Sequence, residues 1–369
     1  MVEALLSERD TAQALLCDSW PAEDVERVET CPVCTCATRS LLYDDAWDAS
    51  FLVAPGRWSL WRCGEYSSAY LDPRPTAASI GRAYERYYTH HDNAGMADPK
   101  GPLAMVRRAF ANGYRKGRYG GHARPASRLG TLVASFAPEM RTGIDYNFRC
   151  LPHPGPSSRV LDVGCGGGEW IAQAEAAGWN ACGADPDPIS VGRACARGLE
   201  VRKGGIESWS GSPSAFDAVT MSHVIEHVDD PRALLTAAFG LLRPGGHLFI
   251  DTPNVDAASH ARFGRHWRGL ETPRHLVLFT RRALDDLLED IGFRAIVHHR
   301  APGAADFLVA ESQRMLALDP DPAPPTRQAP LLPRSETTEF LTLTCTRPAS
   351  RRSQDWRSGE GRARGSASR

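Results

Sequence analysis

One short segment, residues 160–169, constrains the fold of this chain more than any other. It reads Val-Leu-Asp-Val-Gly-Cys-Gly-Gly-Gly-Glu, an apolar run followed at once by a cluster of glycines. Such a run predicts a buried strand that ends in a tight turn and leads into a helix. Gly164, Gly166 and Gly168 permit positive φ angles and let a ligand lie directly against the backbone. The segment therefore predicts a strand, a turn and a helix that together hold a ligand.

The chain beyond this turn alternates between apolar runs and helical stretches, which is typical of a parallel sheet with crossover helices. Helices are predicted to begin at Glu169, Pro188 and Pro231. A further helix is predicted over 280–293, where apolar residues recur at the 3.6-residue period and Thr280 is a suitable N-cap. The predicted strands are 159–164, 180–185, 199–204, 216–222, 246–251, 294–299 and 339–345.

Two features of the glycine turn indicate which ligand it binds. A dinucleotide-binding GxGxxG sequence counted from Gly164 would need glycine at the position of Glu169. Carboxylates around the turn, from Asp162 and Glu169, disfavour a pyrophosphate and favour a cationic ligand. Asp185 follows about twenty residues later, at the end of the next strand, where a carboxylate can accept hydrogen bonds from both hydroxyls of a ribose. These features suit S-adenosylmethionine; the alternative is a turn that only tightens a strand–helix junction.

Residues 155–300 resemble the class I S-adenosylmethionine-dependent methyltransferases. The resemblance is carried by VLDVGCGGGEW, GADPDP, FDAVTMSHVIEHVDDP and LLRPGGHLFIDTPN, in that order. In that family the first loop cradles the methionine part of the cofactor, and the acidic residue of the second block binds the ribose. The cofactor-binding residues that we predict are Asp162, Gly164, Cys165, Gly166, Gly168, Asp185, Ile206, Ser222 and His223.

The predicted fold class is α/β, with a Rossmann-like, doubly wound, mostly parallel seven-stranded sheet that has a last antiparallel strand. We predict the methyltransferase domain at 155–318 and the last strand at 338–347. Between them, 319–337 is rich in proline and predicts a linker, because proline is excluded from helix interiors and central strands. The composition of 348–369, rich in Ser, Arg and Gly, predicts a disordered tail.

The net charge of the chain conceals an uneven distribution. The 43 basic and 44 acidic residues give a formal net charge of -1. This balance excludes a protein whose whole surface binds nucleic acid or membrane, so any such contact has to be local. Residues 1–30 form an acidic segment, whereas 101–150 carry nine basic residues against two acidic ones. We interpret 81–154 as a basic helical connector.

Four of the ten cysteines lie close together near the start of the chain, and clustered cysteines favour a metal site. Cys31 and Cys34 form a CxxC turn, which can present two thiolates to a tetrahedral zinc ion. The chain resembles a branch of the family in which a small zinc-ribbon-like module, here 31–80, precedes the methyltransferase domain. That branch has a second cysteine pair, but here Cys63 is followed three positions later by Tyr66. The predicted ligands of a structural zinc are Cys31, Cys34, Cys63 and Cys36.

The alternative for this module is a ribbon that has lost its metal. It would then be held together by aromatic residues packed around reduced thiols, namely Trp58, Trp61, Tyr66 and Tyr70.

Methyl transfer to an oxygen can require a base, and histidine has the side-chain pKa nearest to neutral pH. We predict His275 and His223 as catalytic residues. His223 stands at the end of a predicted strand, on the side of an open sheet where ligands bind. His275 lies in a loop that can fold over the site, and Arg274 and Trp267 of the same loop are predicted substrate anchors. Two alternatives remain open: a loop-locking role for His275, and a metal site made of His223, His227 and Glu226.

The sequence therefore predicts an S-adenosylmethionine-dependent methyltransferase that acts on a small-molecule or glycan acceptor, on oxygen. An RNA-directed protein that binds phosphates through the basic connector is a less favoured alternative, because no aromatic RNA-stacking motif is evident. A non-catalytic cofactor-binding protein is a second alternative, and the GxGxG spacing argues against a nicotinamide dehydrogenase. No run approaches the roughly 18 apolar residues of a membrane span, so we expect a cytoplasmic protein without a membrane partner.

Overall fold

The computed structural model describes residues 2–85, 101–320 and 338–349. The first of these ranges forms one α-helix, two short 3-10 helices and five strands. The bounds of the α-helix and the strands are α1 (Val2–Cys17), β1 (Val25–Glu26), β2 (Arg39–Ala46), β3 (Trp58–Cys63), β4 (Ala69–Leu71) and β5 (Arg74–Pro75). Because β1 pairs with β5, the end of the acidic segment is joined to the cysteine module.

Residues 101–149 contain three helices, and we call this region the cap. The helices are α2 (Pro102–Tyr119), α3 (Gly130–Phe136) and α4 (Pro138–Asn147). Proline stands in the first turn of α2 and of α4, where its missing N–H would have no helical partner in any case. The basic connector of the sequence is therefore helical over most of its described length.

The remaining described residues form the main sheet and the helices that cover it. Their bounds are β6 (Arg159–Val163), α5 (Glu169–Ala177), β7 (Asn180–Asp185), α6 (Pro188–Ala196), β8 (Glu200–Lys203), β9 (Phe216–Ser222), α7 (Pro231–Leu241), β10 (Leu242–Pro253), α8 (Ala258–Phe263), β11 (Val277–Leu278), α9 (Arg281–Ile291), β12 (Arg294–His299), α10 (Ala304–Leu318) and β13 (Phe340–Thr346).

The main sheet has seven strands in the order β12-β13-β10-β9-β6-β7-β8. β13 runs antiparallel to both of its neighbours, and the other neighbouring pairs are parallel. The predicted α/β fold class, with its last antiparallel strand, is confirmed. The strand order reverses at β6, beside β9, and in open α/β sheets this reversal opens a crevice at the carboxyl ends of the strands.

Burial explains why the strands of this sheet are nearly continuous apolar runs. β6 and β9 are covered by helices on both faces, so Leu161, Val163, Val219 and Met221 are buried. Helix α9 shows the opposite pattern, because only one of its faces is buried, as its 3.6-residue period predicts. Its first turn is capped by Thr280, whose hydroxyl accepts a hydrogen bond from the backbone N–H of Ala283 at 3.2 Å, as predicted.

The cysteine module is not a separate unit. β11 pairs antiparallel with β4 and completes a four-stranded sheet in the order β11-β4-β3-β2. One continuous hydrophobic core includes both Leu60 of β3 and Leu161 of β6. The sequence did not predict α10, which follows β12; Arg9 of α1 donates to the carbonyl oxygen of Ala317 at 2.8 Å.

Two sequence predictions concern residues that are mostly not described. The proline-rich linker at 319–337 is described only at its first two residues, and the tail at 348–369 likewise only at its first two.

Candidate active site

The glycine turn after β6 adopts the conformation that the sequence predicts. The φ angles of Gly164, Gly166 and Gly168 are 70°, 54° and 81°, all in the left-handed region that disfavours other residues. A Cβ atom on Gly164 would lie 2.5 Å from a methyl carbon of Val224, and one on Gly168 would lie 2.4 Å from a methyl carbon of Leu199. These two glycines are therefore needed both for backbone conformation and for close packing.

Asp185, at the end of β7, is tied to the glycine turn by its carboxylate. One oxygen accepts from the backbone N–H of Gly166 at 2.8 Å, and the other accepts from that of Asp187 at 2.9 Å. Burial raises the pKa of Asp185, while these two N–H groups stabilise its ionised form. A carboxylate has about four lone-pair sites, so each oxygen can still accept a hydroxyl of a ribose.

The carboxylate of Asp162 binds a residue of the cap and does not face a ligand site. Both of its oxygens are paired with the guanidinium of Arg149, and Thr220 donates its hydroxyl to the same carboxylate at 2.9 Å. The Arg149 guanidinium also lies 4.0 Å from the centre of the Trp170 ring. The end of the cap is thereby joined to the strand that carries the glycine turn. No spacing in the sequence indicates this role for Arg149, which is one of the nine basic residues of 101–150.

The other predicted cofactor residues differ in exposure. Cys165 is buried, and a Cβ atom on Gly183 would lie 2.6 Å from its sulfur, so this thiol packs into the protein. Ile206 is buried at the start of the short 3-10 helix Ile206–Trp209. Ser222 is partly exposed at the end of β9, on the side of the sheet where the crevice opens.

His223 follows β9 in a left-handed backbone conformation, with φ of 55°. Its Nδ1 lies 3.3 Å from a carboxylate oxygen of Glu226, and its Nε2 lies 3.5 Å from one of Asp251. About 40% of its side chain is exposed, whereas both carboxylates are completely buried. Burial opposes a charged imidazole, but the carboxylates outweigh this effect and raise the pKa of His223 to about 9.

The two carboxylates beside His223 are held by further hydrogen bonds. Tyr146 of the cap donates its hydroxyl to Asp251 at 2.7 Å, and the hydroxyl of Thr342 on β13 donates to the other oxygen. Glu226 accepts the hydroxyl of Thr252 at 2.9 Å. Sequence reasoning missed Asp251 and Tyr146, although Asp251 lies at the carboxyl end of a predicted strand, the edge where ligands bind.

The structure contradicts the prediction that Arg274 anchors a substrate. Its side chain is completely buried and paired with both carboxylate oxygens of Asp48. It also donates to the carbonyl oxygen of Ala83 at 2.8 Å and lies 3.3 Å from Glu271. Its guanidinium therefore binds Asp48 of the cysteine module, Ala83 just after that module and Glu271 of its own loop, and so joins these parts of the protein.

The prediction for Trp267 is also wrong, because this side chain is completely buried. Its ring stacks on that of His260 with a centroid separation of 4.6 Å. The stretch 267–279, which sequence reasoning interpreted as a loop over the site, is instead buried throughout.

His275 is buried too, which removes it from the candidate bases. Its Nδ1 lies 2.8 Å from the carbonyl oxygen of Gly269, and its ring contacts that of His227 edge-on. Burial lowers the pKa of His275 to about 4, so the imidazole is neutral at neutral pH. These contacts fit the loop-locking alternative. For the alternative of a metal site, the structure brings together Glu226, His227 and His275, so His275 takes the place of His223. The potential ligand atoms of these three residues lie within 4.8 Å of one another.

Three of the four predicted zinc ligands come together. The sulfur atoms of Cys31, Cys34 and Cys63 all lie within 4.8 Å of one another, and those of Cys34 and Cys63 are 3.5 Å apart. Cys36 is not in this cluster, because its thiol points to the carbonyl oxygen of Thr38 at 3.7 Å. The prediction of Cys36 as a ligand is therefore wrong.

Comparison with known proteins agrees with this architecture. The sequence profile of a protein family described as "Methyltransferase domain" matches residues 134–299. The ubiquinone biosynthesis O-methyltransferase of Cronobacter sakazakii is 39% identical over 27% of this chain and 44% of its own length. The enzyme of the same name from Xylella fastidiosa is 40% identical over 31% of this chain and 49% of its own length.

A solved structure from Thermotoga maritima, described as an S-adenosylmethionine-dependent methyltransferase and possible histamine N-methyltransferase, is 18% identical. It matches with a TM-score of 0.39 over 60% of this chain and 97% of that one. The chain spans less than half the length of the two curated relatives.

The seven-stranded sheet and the glycine turn hydrogen-bonded to Asp185 are the arrangement that the sequence analysis expects of a class I S-adenosylmethionine-dependent methyltransferase domain. Residues 134–299 are the part of the chain that matches the methyltransferase-domain family. Among the residues that the structure describes, no helix has the length and apolar character that crossing a membrane requires.

Proposed function

We propose that this protein transfers the methyl group of S-adenosylmethionine to an oxygen atom of a small-molecule acceptor. The observation that carries the proposal is the Asp185 carboxylate, hydrogen-bonded to the turn that Gly164, Gly166 and Gly168 leave free of side chains. A bare turn accommodates a ligand against the backbone, and the buried carboxylate offers lone pairs to a ribose. When bound, the cofactor would supply an electrophilic methyl group on a sulfonium sulfur.

The environment of His223 favours methyl transfer to an oxygen atom of the acceptor. Its two ring nitrogens both face carboxylates, so the imidazole keeps both protons at neutral pH and is positively charged. A charged imidazole with no free lone pair is not a base. Its exposed part can instead stabilise a negative charge that develops on an acceptor oxygen, which lowers the pKa of that hydroxyl.

This arrangement favours an acceptor hydroxyl that ionises readily. A phenol has a pKa near about 10, as the tyrosine side chain does, and a nearby positive charge brings it closer to neutral pH. A sugar hydroxyl is a much weaker acid and would need a general base. With His275 buried and His223 protonated, a phenolic or enolic acceptor is the better candidate than a glycan.

The names of the relatives agree with this choice. The ubiquinone biosynthesis O-methyltransferases of Cronobacter sakazakii and Xylella fastidiosa are named for methylation of oxygen in the synthesis of a small molecule. We therefore expect the acceptor to be of low molecular weight.

Calorimetry with the whole chain tests the cofactor first. S-adenosylmethionine and S-adenosylhomocysteine should bind, and NAD should not; tighter binding of NAD would overturn the proposal. Methyl transfer is then measured with matched panels of phenolic and sugar acceptors. Transfer to sugars alone would contradict the role of His223, and cofactor binding with no transfer to any oxygen acceptor would favour a non-catalytic protein.

We also propose a structural zinc ion on Cys31, Cys34 and Cys63. Tetrahedral thiolates about 2.3 Å from zinc lie roughly 3.8 Å apart, close to the 3.5 Å between the sulfurs of Cys34 and Cys63. The three thiols fit three corners of such a site, and the fourth would be a ligand other than cysteine. Elemental analysis of the purified protein tests this directly, since a value well below one zinc per chain contradicts it.

A further inference from the structure

The exposed surface of the cap carries an unusual concentration of apolar side chains. Six of the ten exposed large hydrophobic residues in the described ranges fall between residues 103 and 136. Phe136 is 83% exposed and Leu103 is 73% exposed. We call this set the cap patch; its members are Leu103, Met105, Val106, Leu129, Leu132 and Phe136.

The way in which α2 and α3 pack explains why these side chains remain outside. A Cβ atom on Gly130 would lie 2.4 Å from the backbone nitrogen of Tyr114, and one on Gly113 would lie 1.9 Å from the carbonyl oxygen of Ser127. The backbones of α2 and of the chain entering α3 therefore approach closely at these glycines, while the six side chains of the cap patch stay exposed. The cap patch belongs to a closely packed pair of helices.

The cap also exposes several basic side chains. Arg107, Lys116, Arg124, Arg128 and Arg141 are all exposed, and none of them forms an ion pair with another residue in the described part of the chain. Across the cap, acidic residues number only two. Glu139 is exposed, whereas the Asp145 carboxylate accepts the hydroxyls of Tyr114 and Tyr119. The surface therefore combines apolar protrusions with uncompensated positive charge.

We propose that the cap patch docks the protein on the surface of an anionic lipid bilayer, with apolar side chains in the acyl boundary and arginines on the headgroup phosphates. Such an interface needs no shape complementarity, so isolated protruding side chains such as Phe136 and Leu103 suit it. A nucleic acid would pair with the arginines but leave the apolar side chains in water. A second copy of the chain would bring two positive surfaces together.

This docking would be peripheral and local, as the near-neutral net charge requires. The sequence analysis expects no membrane partner, and the proposal departs from that expectation. Hydropathy and total charge, on which the expectation is based, do not reveal which side chains the fold leaves exposed. The cap also supplies Tyr146 and Arg149 to the methyltransferase site, so a docked cap would hold that site near the bilayer. The proposal does not depend on the methyl acceptor.

Flotation of the full chain with vesicles tests the proposal. Vesicles of phosphatidylcholine mixed with phosphatidylglycerol should carry the protein upward, and vesicles of phosphatidylcholine alone should not. The double variants Leu132→Ser/Phe136→Ser and Arg107→Glu/Arg128→Glu should each reduce the bound fraction by about tenfold or more. Matched changes outside the patch, Val297→Ser and Arg262→Glu, should have no effect; Val297 is 50% exposed and Arg262 is exposed on α8.

Thermal unfolding and S-adenosylmethionine binding show whether each variant is folded, and unchanged values validate the flotation result. Equal flotation with both kinds of vesicle, no flotation with either, or flotation that survives both double variants would overturn the proposal. The proposal would also be overturned if the protein did not bind vesicles and the cap patch variants instead abolished its binding to RNA or to an acidic protein. The same holds if the variants dissociated a dimer of a protein that does not bind vesicles.

Discussion

Arg274 and Asp48 form a completely buried ion pair between residues far apart in the sequence. Asp48 lies just beyond β2, while Arg274 belongs to the stretch that leads into β11. Asp48 also accepts backbone N–H groups of Phe51, Val53 and Ala54, so its carboxylate orders its own loop. The pair explains why the cysteine module and the methyltransferase domain share one core.

Removing one member of this pair should destabilise the protein strongly, because the other charge is left buried and unpaired. We expect Arg274→Met to lower the free energy of unfolding by about 3–5 kcal/mol. The exposed pair Arg232–Asp290 is the control, and Arg232→Met should cost at most about 1 kcal/mol. Urea unfolding measures both. Equal, small effects would show that the buried pair contributes no more than a surface pair.

The carboxylate of Asp185 should determine cofactor affinity. Asp185→Ala removes the acceptor for the ribose hydroxyls and should weaken S-adenosylmethionine binding by about tenfold or more. Asp230 is a matched control, because it caps α7 by accepting from the N–H of Ala233 and lies in a different turn. Asp230→Ala should lower stability and leave affinity unchanged. Calorimetry that gives the same affinity for wild type and Asp185→Ala would reject this role.

Gly168 should tolerate no side chain. Its φ of 81° and the nearby methyl carbon of Leu199 both oppose a Cβ atom, so Gly168→Ala should cost about 1–3 kcal/mol of stability. Gly192 lies within α6, where an added Cβ has no neighbour within 4 Å. Gly192→Ala should therefore be neutral or stabilise the protein by up to about 1 kcal/mol. In thermal unfolding, Gly168→Ala should therefore lower the unfolding temperature, whereas Gly192→Ala should leave it unchanged or raise it.

The raised pKa of His223 predicts a specific pH dependence. Its pKa rises from 6.5 in the unfolded chain to about 9 in the folded one, so folding favours the protonated form. The resulting stabilisation is fully present below pH 6.5 and is lost as the pH rises through about 9. We expect the stability difference between wild type and His223→Gln to shrink over this range, and the rate of methyl transfer to fall as well.

NMR titration of the histidine ring protons provides an independent measurement of this pKa. His275, whose pKa is lowered to about 4, should remain neutral over the same range and serves as the internal reference. A pKa of His223 near 6.5 would remove the argument for a charged group at the acceptor site.

Loss of zinc should affect stability more than cofactor binding. Cys63→Ser removes one thiolate of the cluster, whereas Cys36→Ser changes a cysteine outside it. We expect the first variant to lose stoichiometric metal and to unfold at a lower temperature, and the second to keep both properties. If both variants retain the metal content of the wild type, the cluster does not hold the ion.

Sequence reasoning predicted the α/β fold class correctly because its signals are local. A strand, a glycine turn and a capped helix each follow from neighbouring residues, as Gly164 and Thr280 illustrate. The loop bearing Arg274 and His275 was wrongly predicted because charged and polar residues normally indicate exposure. Only partners distant in the chain, such as Asp48, make their burial favourable.

The sequence by itself determined the fold class, the glycine turn and the acidic partner Asp185, because these depend on hydropathy period, backbone freedom and spacing along one chain segment. Only the tertiary structure decided that His223 lies between two carboxylates, that Arg274 joins two parts of the protein, and that the cap exposes apolar side chains. The reason is that ionisation and burial depend on the groups brought together in space, and the order of residues does not specify these contacts directly.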